Sequence, residues 1–132
     1  MKRSLTLAMA LLISLISTLV HAQTSKPVVP KIDAEQFDKL RQKPGAVVLD
    51  VRTPQEFAQG HVPGAVNMDI SDPTFRKKLE TLDKSKTYLV HCAKGVRSNR
   101  AVNLMSSLGL GGLYDYHAGF EDWKKQGKPV EK

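Results

Sequence analysis

Cys92 is the one cysteine in the chain, and its surroundings are those a reactive thiol needs. It follows the apolar run Thr87-Tyr88-Leu89-Val90-His91, which reads as a strand, and precedes Ser98–Leu108, which reads as a helix stopped by Gly109. Between them Ala93-Lys94-Gly95-Val96-Arg97 must turn the chain. Such a loop, with a glycine to permit tight curvature, can aim several backbone N–H groups at one centre. The start of the helix adds its positive end, worth roughly 0.3–1 kcal/mol to a negative group. Lys94 and Arg97 add whole charges, and neither has an obvious carboxylate partner nearby in the chain. All three effects favour thiolate over thiol and make the sulfur a nucleophile. A buried, inert residue is the commoner fate of a lone cysteine, but packing alone requires neither the glycine nor the two cations. Cys92 is therefore the candidate nucleophile. The candidate binding groups are Lys94, Arg97 and the backbone from Ala93 through Gly95 and Val96 to Ser98.

The elements that must hold this loop can be read on either side of it. Asp33 can cap a helix running to about Arg41, and Pro44-Gly45 ends it. Ala46–Val51 is a near-continuous apolar strand, the pattern of a strand buried on both faces. Thr53-Pro54-Gln55-Glu56 is a capping box with proline at the first helical position, and that helix stops at Gly60. Ala65–Met68 reads as a short strand, Asp72-Pro73 opens a helix through Leu79, Leu113–Tyr116 is a last short strand and Phe120–Gln126 a closing helix. Strand and helix alternate, so the class is α/β with a mostly parallel sheet. Ligands of such sheets bind at the carboxyl ends of the strands, where Cys92 lies.

Composition narrows the setting. The chain has 132 residues, 41% hydrophobic and 25% charged, which excludes a disordered tail or a multi-span membrane protein. Its start is cationic through Lys2 and Arg3, continues into the apolar run Leu5–Val20 of 16 residues, and ends in Val20-His21-Ala22. That order is a secretory signal peptide cleaved after Ala22, too short for the roughly 20 residues of a spanning helix. Residues 1–22 are thus a leader, 23–30 a polar, proline-rich linker and 31–130 the domain. Without the leader, 110 residues remain with 18 basic side chains against 13 acidic. The excess is spread out, which suits small anionic ligands rather than a nucleic acid. The leader implies export, and in an oxidising cell envelope an unpaired thiol is a liability unless it is used.

Three motifs together carry a resemblance. Cys92-Ala93-Lys94-Gly95-Val96-Arg97-Ser98 is similar to the active-site loop of a single-domain rhodanese, a thiosulfate sulfurtransferase. The block from Asp50 to Met68 resembles that family's Asp-x-Arg, Glu-Phe and Gly-His-x-Pro-Gly-Ala signature, and Ala118–Val130 its Gly-x-x-x-Trp ending followed by Gly-x-Pro-Val. Ala118 departs from the pattern, which often has glycine there. With its leader the chain most resembles the small periplasmic rhodaneses of the phage-shock type. The resemblance implies a five-stranded parallel sheet flanked by helices, with Cys92 at the bottom of a shallow pocket. It also implies transfer of sulfane sulfur from thiosulfate to cyanide or a thiol through a Cys92 persulfide, with no cofactor and no metal, possible as a monomer. In those terms Arg97 offers a planar fork to a sulfonate and Lys94 a point charge at the rim.

Two other readings compete. Cysteine phosphatases resemble this loop but place five residues between cysteine and arginine; here there are four, Ala93 to Val96, a tighter cradle suited to sulfur. A rhodanese fold kept as a binding module, or as a carrier of sulfur or a soft metal, is the non-enzymatic alternative. The remaining polar residues have structural readings: Glu56 completes a cap, and Asp50 with Arg52 ties a strand end to its loop. His91 precedes Cys92 in a strand and points to the opposite face, a poor position for a base. His117 fits either an approach to the pocket or a place on its rim. His61, His91 and His117 lack metal-ligand spacing.

Overall fold

The computed structural model describes residues 25–132, so the leader read in residues 1–22 lies outside the described residues. Its two central strands are the two apolar runs. β1 (Ala46–Asp50) pairs in parallel with β3 (Thr87–His91) along its whole length, from Ala46 opposite Thr87 to Asp50 opposite His91; the helix α2 (Pro54–Gln59) is the first element of the long connection between them. β2 (Val66–Asn67) flanks β1 and β4 (Leu113–Asp115) flanks β3, all parallel, in the order β2-β1-β3-β4.

Alternation along the central strands explains why both runs are apolar throughout. Leu49, Val51, Tyr88, Val90 and Cys92 face one side, where α3 (Phe75–Glu80) and α4 (Val96–Ser107) bring Phe75, Leu79, Val102 and Met105. Val48 and Leu89 face the other, covered by Phe37 of α1 (Ala34–Arg41) and by Phe120 and Trp123 of α5 (Gly119–Lys125). Two of the helices begin where their capping chemistry dictates, whereas α3 starts at Phe75, past the expected Asp72-Pro73, and like α4 and α5 has no side-chain cap. Asp33 and Gln36 form one reciprocal capping box and Thr53 and Glu56 the other.

Among the described residues the sheet has four strands, not five. What would be the fifth is a single parallel bridge between Lys31 and Asp115, made by Asp115 N–H to Pro30 O and Ile32 N–H to Asp115 O, both 2.9 Å. Pro27 and Pro30 have no N–H to extend the ladder, and Asp33 already caps α1, so nothing remains to lengthen it. The linker's last residues are thus docked along β4, and Val29 packs against the core.

Candidate active site

Cys92 stands one residue beyond β3, and α4 begins at Val96, two residues before the expected start at Ser98. Arg97 and Ser98 therefore lie in the first turn of the helix, where N–H groups have no acceptor within the helix itself. Gly95 is the N-cap at φ +99°, a left-handed conformation that glycine adopts freely. Its N–H donates to Cys92 Sγ at 3.1 Å. Of the backbone from Ala93 to Ser98, this is the amide that reaches the sulfur. Cys92 itself is 1% exposed.

The peptide behind the thiol is clamped by α5. Phe120 N–H donates to Cys92 O at 2.8 Å, and Glu121 N–H to Ala93 O at 3.1 Å. This needs the close approach of Gly119, at φ +74°, where a Cβ would stand 2.5 Å from Ala93 O and 2.7 Å from Cys92 O. Ala118, by contrast, sits exposed at φ −66°, which any residue adopts, so the missing glycine costs the loop nothing.

The two cations differ. Lys94 is exposed and makes no salt bridge among the described residues. Arg97 does have a carboxylate partner: its Nη1 and Nη2 donate to Glu56 Oε2 and Oε1 at 2.8 and 2.9 Å. The pairing spans 41 residues of chain, which local reading of the loop does not reveal. Glu56 still serves as the cap, accepting from Thr53 N–H at 2.9 Å. The Arg97 guanidinium, followed by the Thr53 bonds, holds the Glu56 carboxyl down at about 2, and Glu56 in turn raises Arg97. As pH falls the unfolded chain takes up this proton first, near the ordinary value of 4.5. The stabilisation is therefore whole above about 4.5 and disappears as pH falls toward 2. Melting curves across that range should show the parent protein's lead over Glu56→Gln shrinking with acid; parallel curves would mean that the pair contributes nothing to folding.

The Asp50–Arg52 pair is architectural, as its position suggested. Asp50 Oδ2 accepts from Arg52 Nη2 at 2.7 Å, the same nitrogen reaches Gly60 O at 2.8 Å, and the guanidinium lies over the Phe120 ring at 4.1 Å. Strand end, α2 and α5 are joined through one side chain. His91 points away from the thiol into the aromatic cluster of Phe37, Tyr116 and Phe120. Burial holds it well below the usual histidine range, and its Nδ1–H donates to Cys92 O at 3.1 Å. Its Nε2 stands 3.7 Å from Asp50 Oδ2, too far for a hydrogen bond.

Ser98 turns its side chain away from the sulfur. Its Oγ lies 2.7 Å from Asp115 Oδ1 and 3.2 Å from Gly95 O. With one proton to give, the hydroxyl donates to the buried carboxylate, the shorter and charge-assisted contact. Ser98 thus brings only its backbone toward the thiol. Asp115 also faces His117, whose Nδ1 lies 3.4 Å from Oδ2. Among the described residues no three His, Cys, Asp or Glu side chains converge as metal ligands would.

The thiol at a strand end, bonded by the N–H of the residue before the next helix, sits in the loop on which the family resemblance rests, and residues 33–126 match the family model of the rhodanese-like domain. The chain belongs to the rhodanese family. It is 36% identical over 94 residues to thiosulfate sulfurtransferase GlpE of Pseudomonas putida, covering 71% of this chain and 84% of that one. Thiosulfate sulfurtransferase 16, chloroplastic, of Arabidopsis thaliana is 33% identical over 93 residues, covering 63% and 78%. Among solved structures, a rhodanese-related protein of Thermoplasma volcanium superposes with a TM-score of 0.70 at 35% identity, over 77% of this chain and 97% of that one. Together these support a sulfurtransferase function for this rhodanese.

Proposed function

We propose that this rhodanese is a thiosulfate sulfurtransferase that carries the transferred sulfur on Cys92. The Cys92 thiolate attacks the outer sulfur of thiosulfate, the S–S bond of the donor breaks, and sulfite leaves with the electron pair. Cyanide or an external thiol then takes the outer sulfur from the Cys92 persulfide, and the Cys92 thiolate leaves. With no second cysteine in the chain there is no internal resolving thiol, so the acceptor comes from solution. The observation that carries the reading is the 3.1 Å bond from Gly95 N–H to Sγ at the start of α4. A donor fixed on Sγ stabilises the charge of the Cys92 thiolate, both as the nucleophile of the first step and as the leaving group of the second. The leader read in residues 1–22 leads us to place the reaction in the periplasm, which the intact mass of protein from a cell-envelope fraction tests.

Formation of thiocyanate from thiosulfate and cyanide is the direct assay. Turnover that does not exceed a Cys92→Ala control would support the binding module instead. The cations separate within the same assay. Lys94, exposed and without a salt bridge among the described residues, serves the anionic donor alone, so Lys94→Ala should raise the KM for thiosulfate several-fold and leave the melting temperature unchanged. Arg97→Ala should lose more activity, roughly 1–3 kcal/mol of transition-state stabilisation. It should also melt earlier, because the variant leaves the Glu56 carboxylate without its guanidinium. A Lys94→Ala protein that melts early with normal kinetics would make that lysine structural.

A further inference from the structure

The buried carboxylate of Asp115 has two partners, and only one of them is explained by the loop. Ser98 Oγ–H on Oδ1 holds the first turn of α4 against β4. Oδ2 faces His117 Nδ1 at 3.4 Å, so a solvent-facing histidine is tethered to a carboxylate that is 1% exposed. The ring lies directly against the thiol loop: a Cβ built on Gly95 would stand 2.8 Å from His117 Nδ1 and 2.9 Å from Cε1. Gly95 is the residue whose N–H bonds Cys92 Sγ. The His117 side chain is 45% exposed, and its Nε2 has no hydrogen-bond partner among the described residues. A carboxylate on Nδ1 directs the proton there and leaves Nε2 as the basic nitrogen.

The second half of the sulfur transfer has a use for such a nitrogen. An ordinary alkyl thiol is mostly protonated at neutral pH, and only its thiolate attacks sulfur. The other imidazole and carboxylate groups near the loop are committed. His91 is buried with Nδ1 on Cys92 O, Glu56 is bonded to Arg97, and His61 stacks on Phe57 at 3.8 Å beside Glu131. Resting on the sulfurtransferase reading, we propose that His117, oriented by Asp115, is the base that takes the proton of a thiol acceptor. The acceptor thiol gives its proton to His117 Nε2. Its sulfur forms a bond to the outer sulfur of the Cys92 persulfide, and the persulfide S–S bond breaks with its electron pair on Cys92 Sγ. The proton then passes from His117 to the outer sulfur of the product. A persulfide anion and a thiol thus become a Cys92 thiolate and a free hydropersulfide, with charge and protons conserved.

His117→Asn is the informative variant, because its amide keeps a donor near the Nδ1 position for Asp115 but has no basic nitrogen. Three steps are measured on unsubstituted and variant protein: the burst of sulfite from thiosulfate, persulfide discharge to 2-mercaptoethanol, and discharge to 4-nitrothiophenol, which is already ionised at neutral pH. The proposal expects an unchanged burst, discharge to 2-mercaptoethanol slowed by about 100-fold, and discharge to 4-nitrothiophenol within about twofold of the parent. Equal slowing of both discharges, a lost burst in the variant, or no slowing at all would overturn it. A missing burst in the unsubstituted protein would instead sink the sulfurtransferase reading, and this inference with it.

Discussion

Protein incubated with thiosulfate and then freed of it is expected to be one sulfur atom heavier, with the added mass on the peptide that contains Cys92. Cyanide should remove that sulfur stoichiometrically as thiocyanate, and Cys92→Ser should never acquire it, with turnover falling by several orders of magnitude. The serine variant is a stringent control. Its oxygen can still accept the Gly95 N–H, so the loop keeps its hydrogen bond while losing a nucleophile that ionises readily. Two added oxygens have nearly the same nominal mass as one sulfur, and a thiol in an oxidising compartment can follow that path to sulfinic acid. Cyanide lability separates the two. A mass gain that cyanide leaves in place is oxidation, and it would remove the persulfide from the mechanism.

Much of this site was legible because its chemistry is local. The strand ending at His91, the glycine three residues past Cys92 and the helix after it are consecutive in the chain, and backbone periodicity alone orders them. The same holds for the capping boxes at Asp33 and Thr53, whose partners lie within one turn. The contacts that escaped are those made across the sheet. Glu56 has two oxygens, and sequence spacing accounts for the bonds to Thr53 but not for the fork to Arg97, since nothing local says that the first turn of α2 lies beside the first turn of α4. Ser98 closes the loop motif that begins at Cys92, yet its hydroxyl goes to Asp115 on β4. Gly119 was visible as a family position, but its reason is the pair of carbonyls at Cys92 and Ala93 that α5 must approach. The strand count failed at an edge, where two prolines and an early helix cap reduce a strand to one bridge.

Gly95→Ala should be the most damaging single-methyl change in the molecule, and its effect can be divided in two. The residue sits at φ +99°, where a side chain costs on the order of 1–3 kcal/mol by itself. There is also no room: the added Cβ would overlap the His117 carbonyl oxygen and crowd its ring. Relief requires the loop to move away from β4, and the Gly95 N–H moves with it, off the sulfur. The expected result is a fall in melting temperature of roughly 10–20 °C together with a loss of persulfide formation larger than that of Lys94→Ala. Gly45 supplies the comparison. It has a similar φ of +79°, but a Cβ there would meet nothing within 4 Å. Gly45→Ala should therefore show the conformational cost alone, with a smaller drop in melting temperature and normal sulfur transfer. If the two variants melt alike and Gly95→Ala still accepts sulfur at the parent rate, the amide on Cys92 is a packing contact and the nucleophile is held by other means.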